Sequence, residues 1–165
     1  MSNMHATSAQ VQAGVDRLIH FYEHLTTQKL DLIHTCYAPQ ARFKDPFNDV
    51  QGVTHIRQVF AHMFTTVDNP RFVVTERLVQ GQRAFLAWEF HFSMRRWRKG
   101  VPQCIQGGTF LRLDTTGMVL EHRDYWDAAQ ELYEKLPIVG ALMRCMRRAG
   151  AARACHQIAG LLRYT

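Results

Sequence analysis

A change of hydrophobic pattern near residue 71 constrains the fold of this chain more than any other feature. Before it, apolar residues recur at helical spacing in three segments, at about 8–25, 30–36 and 53–67. After it come four stretches rich in β-branched and aromatic residues, at about 71–80, 83–96, 103–114 and 118–126. Short connections between these stretches favour antiparallel neighbours. The sequence therefore predicts an α+β domain in which three N-terminal helices cover a curved antiparallel sheet.

Length and charge divide the chain into one domain and an extension. With 165 residues, 47% of them apolar, it can bury one core of ordinary size. We place the domain at 8–134 and a basic, amphipathic helical extension at 135–165. The extension holds six of the twenty basic residues and no acidic one, so it carries the whole formal charge of +6. The domain itself is predicted to be close to neutral.

The basic extension raises the question of a charged partner. An amphipathic basic helix can attract an anionic membrane surface, here through Arg144, Arg147 and Arg148. The alternative is that its apolar side packs on the domain while the arginines stay solvated. Nucleic acid is not expected as a partner, because the domain shows no basic face with interleaved aromatic residues.

Cysteine and histidine spacing predicts no metal and no cofactor. The four cysteines are widely spaced and match no zinc pattern: Cys36, Cys104, Cys145 and Cys155. His20 and His24 stand four residues apart, but no third ligand is identifiable near them. The polar first ten residues and the lack of an apolar run of about 18 residues predict a cytoplasmic protein.

The segment from Tyr37 to Pro46, YAPQARFKDP, carries a family resemblance. Pro46 removes a backbone donor and disfavours helical geometry at Asp45, so this carboxylate is expected at a strand end or turn. Together with Gly52 and the helix after it, the segment resembles the first helix-to-strand passage of the nuclear transport factor 2-like superfamily. That superfamily includes ketosteroid isomerases and SnoaL-type polyketide cyclases. The resemblance covers about residues 10–130 and implies a cone-shaped domain with an internal cavity.

The resemblance also implies a set of site residues. Asp45 falls where ketosteroid isomerases keep their proton-abstracting carboxylate, and Asp124 matches an acid/base aspartate on the last strand of the cyclases. The implied catalytic residues are Asp45, Asp124, His91 and His122. The implied ligand contacts are Phe21, Tyr22, Phe60, Glu89 and Trp126. Strand alternation alone does not say which face points inward.

This assignment of faces has a consequence for assembly. If Glu89 and His91 point into the cavity, the opposite face of the same strand is free to pair two copies. The resemblance thus implies a homodimer interface formed by Leu86, Trp88, Phe90 and Phe92.

The chain departs from the isomerase pattern at the oxyanion hole. Those enzymes polarise the substrate carbonyl with a tyrosine on the first helix and a protonated aspartic acid on a later strand. This sequence has Phe21 there, or Tyr22 if the register slips by one, and Gly108. Each lost donor costs on the order of 3 kcal/mol of transition-state stabilisation, which argues against steroid isomerisation.

Besides a peripheral membrane protein that acts through the basic extension, two functional hypotheses remain from the sequence. One is an enzyme that performs acid/base chemistry of the isomerase, cyclase or hydrolase type on a small apolar molecule. The other is a dimeric module that binds a ligand or partner without catalysis. For single residues the alternatives are structural, with Asp45 bracing its turn and His91 serving as a hydrogen-bonded strand residue.

Overall fold

The computed structural model describes residues 2–95 and 100–127 of the chain. The helical elements are α1 (Ser2–Glu23), a 3-10 helix (Thr27–Thr35) and α2 (Val53–Thr66). The strands are β1 (Tyr37–Lys44), β2 (Asp49–Gln51), β3 (Val67–Gln80), β4 (Arg83–Met94), β5 (Pro102–Leu113) and β6 (Val119–Tyr125). The predicted α+β class with its helices first is confirmed. The predicted extension at 135–165 lies outside the described residues.

The six strands form one curved, unclosed sheet in the order β2-β1-β6-β5-β4-β3. All neighbouring strands are antiparallel except β1 and β6, which run parallel. The sheet is therefore mixed. Short connections indicate only which consecutive strands pair. Because β1 and β6 are the first and last strands of the chain, the connections did not predict that these two are parallel neighbours.

The helices cover the inner face of the sheet. The predicted apolar stripe of the first helical segment is buried throughout: Val11, Val15, Leu18, Tyr22 and Leu25. Contacts join α1 to β3, and α2 to both β1 and the 3-10 helix. Burying a large apolar side chain stabilises the fold by about 1.5–3 kcal/mol, so this stripe holds α1 against the sheet.

Helix α1 lies so close to the turn between β5 and β6 that each of them contributes a glycine to the contact. A methyl group at Gly14 of α1 would lie 2.1 Å from the carbonyl oxygen of Gly117, in the turn between β5 and β6. Gly117 has a φ of +83°, which favours glycine. Arg17 Nη2 donates a hydrogen bond of 3.0 Å to the same carbonyl oxygen. Helix α1 thus contacts the turn that leads into the last strand.

The structure corrects the face assignment of β4. Leu86, Trp88 and Phe92 are buried on the inner face, whereas Glu89 and His91 lie on the outer face. The expected dimer interface on the apolar face is therefore wrong, because that face is the inner wall of the chain's own core. A shift of one residue in the alignment exchanges the two faces of a strand, and burial of the apolar set decides between them.

Strand β6 follows the expected orientation. His122 and Asp124 face inward, with side chains 3% and 16% exposed. Cross-strand pairing places Thr109 of β5 beside Asp124 and Leu86 of β4 beside Thr109, which brings these three positions to one face. Among residues 2–95 and 100–127, no helix is both long enough and apolar enough to cross a membrane.

Candidate functional site

A small cavity lies between the helices and the inner face of the sheet. The centre of a water-sized molecule can occupy about 30 Å³ of it, and all the empty space around these positions, open solvent included, is about 380 Å³. Its apolar walls are Phe60, Phe72, Val74, Leu86 and Trp88. Its polar groups are Tyr22, Thr109, His122 and Asp124. The cavity therefore combines apolar walls with a small polar cluster.

A chain of hydrogen bonds runs through the buried side of this cluster. The hydroxyl oxygens of Tyr22 and Tyr37 are 2.5 Å apart, and the Tyr37 hydroxyl is 2.7 Å from Nδ1 of His122. On the other side of the imidazole, Nε2 lies 2.9 Å from Oδ1 of Asp124. Three elements meet here, since Tyr22 comes from α1, Tyr37 from β1, and the other two residues from β6.

A second arm reaches the same carboxylate oxygen from β4 and β5. The indole Nε1 of Trp88 donates to Oγ1 of Thr109 at 2.8 Å, and the Thr109 hydroxyl donates to Oδ1 of Asp124. Oδ1 therefore accepts hydrogen bonds from both His122 and Thr109. Within the part of the chain that the structure describes, Oδ2 receives no hydrogen bond.

Donor and acceptor chemistry gives the chain a consistent direction. An indole N–H can only donate, so Thr109 directs its own hydrogen to Asp124. A neutral His122 that donates from Nε2 to the carboxylate accepts at Nδ1 from Tyr37, whose oxygen accepts from Tyr22. Burial raises the pKa of Tyr22 and Tyr37 well above the ordinary value. Both phenols thus remain hydrogen-bond donors at neutral pH.

Asp45 lies outside the cavity, beside a wider surface groove. The groove is lined by Lys44, Asp45, Pro46, Arg123, Asp124, Tyr125, Trp126 and Asp127. Oδ1 of Asp45 accepts from the backbone N–H groups of Phe47 and Asn48, at 2.7 and 2.6 Å. The Asn48 amide donates to both carboxylate oxygens, at 3.0 and 2.9 Å. The structure thus places Asp45 in the role of bracing the turn between β1 and β2.

Residues 18–122 match the SnoaL-like domain family. The chain belongs to this family. Three solved structures illustrate its fold. A candidate SnoaL-like polyketide cyclase from Jannaschia sp. CCS1 is 18% identical, with a TM-score of 0.63 over 88% of this chain and 94% of that one.

The other two solved structures have different functional descriptions. A hypothetical protein of ketosteroid isomerase-like fold from Catenulispora acidiphila, in complex with trimethylamine, is 16% identical, with a TM-score of 0.63 over 72% of this chain and 88% of that one. An LEH-like epoxide hydrolase from M. tuberculosis is 10% identical, with a TM-score of 0.61 over 86% of this chain and 96% of that one. At these identities the likeness shows the fold. None of the curated proteins matches the sequence.

This SnoaL-like domain brings together only some of the residues expected in its site. Tyr22, Phe60, His122 and Asp124 line the cavity. Phe21 is buried beside the ring of Tyr22 but is not part of the cavity lining. Trp126 lines the wider surface groove beside Asp45, where its ring and the ring of Phe47 meet edge to face with centroids 5.4 Å apart.

Glu89 and His91 lie apart from the cavity of the SnoaL-like domain. They occupy the outer face of β4 and hydrogen-bond to each other at 2.9 Å, between Oε2 and Nε2. Neither side chain is part of the lining of this cavity, where they were expected as ligand contact and catalytic residue. The cause is the same inversion of the β4 faces that misplaced the dimer interface.

Three residues of the hydrogen-bonded cluster were missed by sequence reasoning: Tyr37, Trp88 and Thr109. Tyr37 begins the YAPQARFKDP segment that carries the family resemblance, so a usable signal was present there. Trp88 and Thr109 are joined through the pairing of β4 with β5. The Gly107-Gly108 pair was a partial signal, because a methyl group at Gly107 would lie 2.5 Å from the Trp88 ring.

Proposed function

We propose that this SnoaL-like protein performs acid/base chemistry on a small, largely apolar molecule, with Asp124 as the proton acceptor. The observation that carries the proposal is the unequal use of the two oxygens of this carboxylate. His122 and Thr109 hold Oδ1. Oδ2 keeps its lone pairs for a proton supplied from the cavity.

The surrounding groups support a proton shuttle at this position. In the proposed reaction, Oδ2 takes a proton from a substrate carbon or from a water molecule, and the neutral acid returns it at another position. His122 fixes the orientation of the carboxylate, and Tyr37 fixes the tautomer of His122 by donating to Nδ1. Such fixed geometry contributes to rate because the reacting groups need no rearrangement at the moment of transfer.

The walls of the cavity indicate the substrate class. The described lining residues include no lysine or arginine, so nothing in this lining is suited to a phosphate or sulfate group. Aromatic and aliphatic walls with a polar cluster suit a compact apolar molecule that carries a carbonyl, hydroxyl or epoxide oxygen. The neighbours described as a candidate polyketide cyclase and an epoxide hydrolase support this class of substrate.

A general-base probe can test the proposal before the natural substrate is identified. Nitrobenzisoxazole opens its ring when a base removes one proton, and it gives a coloured phenolate. The wild-type protein should catalyse this reaction, and Asp124→Asn should lower kcat/KM by about 100-fold or more. Asp45→Asn is the matched control, because an asparagine oxygen can still brace the turn and the rate should stay near that of the wild type.

Two results would contradict the proposal. One is a wild-type rate no greater than that of acetate at equal concentration. The other is an Asp124→Asn rate equal to the wild-type rate in a variant with an unchanged circular dichroism spectrum.

A binding module without catalysis is the second candidate, favoured by the position of Gly108. A methyl group at this position would meet the ring of Phe85, whose side chain lies on the outer face. The site therefore gains no second donor from this position, where isomerases resembling this chain place an acid. Native mass spectrometry of the purified protein separates the two candidates. If the protein is a binding module, the wild type and the Asp124→Asn variant should both retain the same co-purified compound, chemically unchanged.

A further inference from the structure

The outer face of the sheet, opposite the cavity, gathers three side chains with metal-ligating atoms. They are Glu89 and His91 of β4 and Cys104 of β5. One carboxylate oxygen, one imidazole nitrogen and one sulfur all lie within 4.8 Å of one another. The cluster contains three different ligand types, which distinguishes it from the acidic patches common on protein surfaces.

Strand geometry explains why these side chains meet. Residues two apart on a strand share a face, which aligns Glu89 with His91. His91 and Cys104 are direct partners in the antiparallel pairing of β4 with β5. Glu89 and His91 project from a strand that is paired on both sides, with β3 and with β5. Cys104 projects from the part of β5 that is paired with β4.

A further residue orients the carboxylate. Gln106 Nε2 donates to Oε1 of Glu89 at 3.1 Å, which leaves Oε2 directed at the imidazole, 2.9 Å from Nε2 of His91. Hydrogen bonds from such supporting residues typically orient the ligands of metal sites.

We propose that Glu89, His91 and Cys104 form a zinc site with a fourth position open to water or a small ligand. Zinc prefers nitrogen, sulfur and oxygen ligands in a tetrahedral arrangement, at about 2.0–2.3 Å. Those bond lengths place tetrahedral ligand atoms about 3.3–3.8 Å apart. Binding therefore requires side-chain rotation from the present spacing, in which Oε2 of Glu89 and Nε2 of His91 are 2.9 Å apart. Binding replaces the hydrogen bond between Glu89 and His91 and releases the thiol proton of Cys104 to solvent.

Cobalt(II) is the probe for this site, because thiolate coordination to it gives a charge-transfer band in the near ultraviolet. The full chain is treated with a chelator, reduced, freed of both reagents and titrated with Co²⁺ without oxygen. The wild-type protein should develop this band and lose it on addition of Zn²⁺. Cys104→Ser should abolish the band, and His91→Gln or Glu89→Gln should weaken Co²⁺ affinity by about tenfold or more.

Matched variants separate this site from other thiols and histidines. Cys145→Ser and Cys155→Ser should keep the band, and His24→Gln should keep it as well. Arg71, the partner of His91 on β3, places a positive charge near the site. Arg71→Gln should therefore tighten Co²⁺ binding.

Three outcomes would overturn the assignment. They are a wild-type protein that gives no band at about 0.1 mM Co²⁺, a band that survives Cys104→Ser, and a band that is lost in Cys145→Ser or Cys155→Ser. Because the cluster lies on the face opposite the cavity, none of these outcomes bears on the role proposed for Asp124.

Discussion

Single carboxylates in this domain differ in what occupies their oxygens, and that difference supports the role proposed for Asp124. Asp49 accepts hydrogen bonds from Arg42 and Lys44, which hold its pKa well below its ordinary range. Asp45 accepts from the turn that it braces. Asp124 alone among these three lines the inner cavity. The proposed difference in reactivity between these carboxylates therefore rests on the hydrogen bonds that their oxygens accept.

The two buried tyrosines, Tyr22 and Tyr37, are expected to affect the free energy of unfolding in two ways. Tyr37→Phe removes the donor to Nδ1 of His122 and should lower the free energy of unfolding by about 1–3 kcal/mol. Burial raises the pKa of Tyr22 and Tyr37 in the folded state, so their contribution to stability is fully present below about pH 10 and is lost as pH rises further.

Urea unfolding between pH 8 and 11.5 measures both effects. Above about pH 10, each buried tyrosine should add about 1.4 kcal/mol per pH unit to the loss of stability. The wild-type slope should therefore be about twice the slope of Tyr37→Phe. Equal slopes in the two proteins would show that Tyr37 ionises as easily in the folded state as in the unfolded state.

The limits of sequence reasoning at this scale follow from distance along the chain. Asp124 and His122 could be predicted because they are two apart on one strand and match the resemblance. Tyr37 bonds to a histidine 85 residues away, and Trp88 bonds to Thr109 across 21 residues. These contacts depend on strand register, which one sequence does not fix.

At the scale of elements, periodicity predicted the helices and the strand-rich half well. The apolar stripe of α1 is buried as its spacing indicates. The short β2 was missed, because three residues are too few to show alternation. Strand β4 was found but inverted, since both of its faces carry large side chains and the apolar face was assigned to a partner.

The close contact between α1 and the β5–β6 turn predicts how a substitution at Gly14 changes stability. In an exposed helix, Gly→Ala stabilises by about 1 kcal/mol. Gly14→Ala should instead destabilise by about 2 kcal/mol or more, because the added methyl group meets the carbonyl of Gly117 at 2.1 Å. Thermal or urea unfolding of the variant measures this change.

The exposed neighbour Ala13 supplies the control for that variant. Ala13→Gly should cost about 1 kcal/mol from helix propensity alone. If Gly14→Ala proved as stable as the wild type, α1 would have to sit farther from the turn than the structure shows.

At the scale of the whole molecule, the outer face of the sheet exposes large apolar side chains. Leu78, Phe85 and Tyr125 are 71%, 42% and 50% exposed, and Leu78 and Phe85 are direct cross-strand partners. We expect the homodimer implied by the resemblance to use this face, because the face first assigned to it is buried. Phe85 lies six residues from His91, about 20 Å along β4, so the contact need not cover Glu89, His91 and Cys104.

Light scattering after size exclusion tests this arrangement. The wild-type protein should elute as a dimer, and Phe85→Lys should shift it to a monomer, since an unpaired charge would be buried in the contact. Leu32→Lys is the control. Leu32 is also exposed and lies far in sequence from this patch, so its substitution should leave the dimer intact. A monomeric wild type, or a dimeric Phe85→Lys, would contradict the expected interface.

The parallel pairing of β1 with β6 also sets the moment at which the site can first exist during synthesis. Tyr37 leaves the ribosome long before His122 and Asp124, and the helices and the β3-β4-β5 hairpins contain only local connections that can fold early. The polar cluster is completed only when the last strand inserts between β1 and β5. A nascent chain released before residue 119 would have a partial core and would lack His122 and Asp124, so under the proposed function we expect premature termination to yield an inert product.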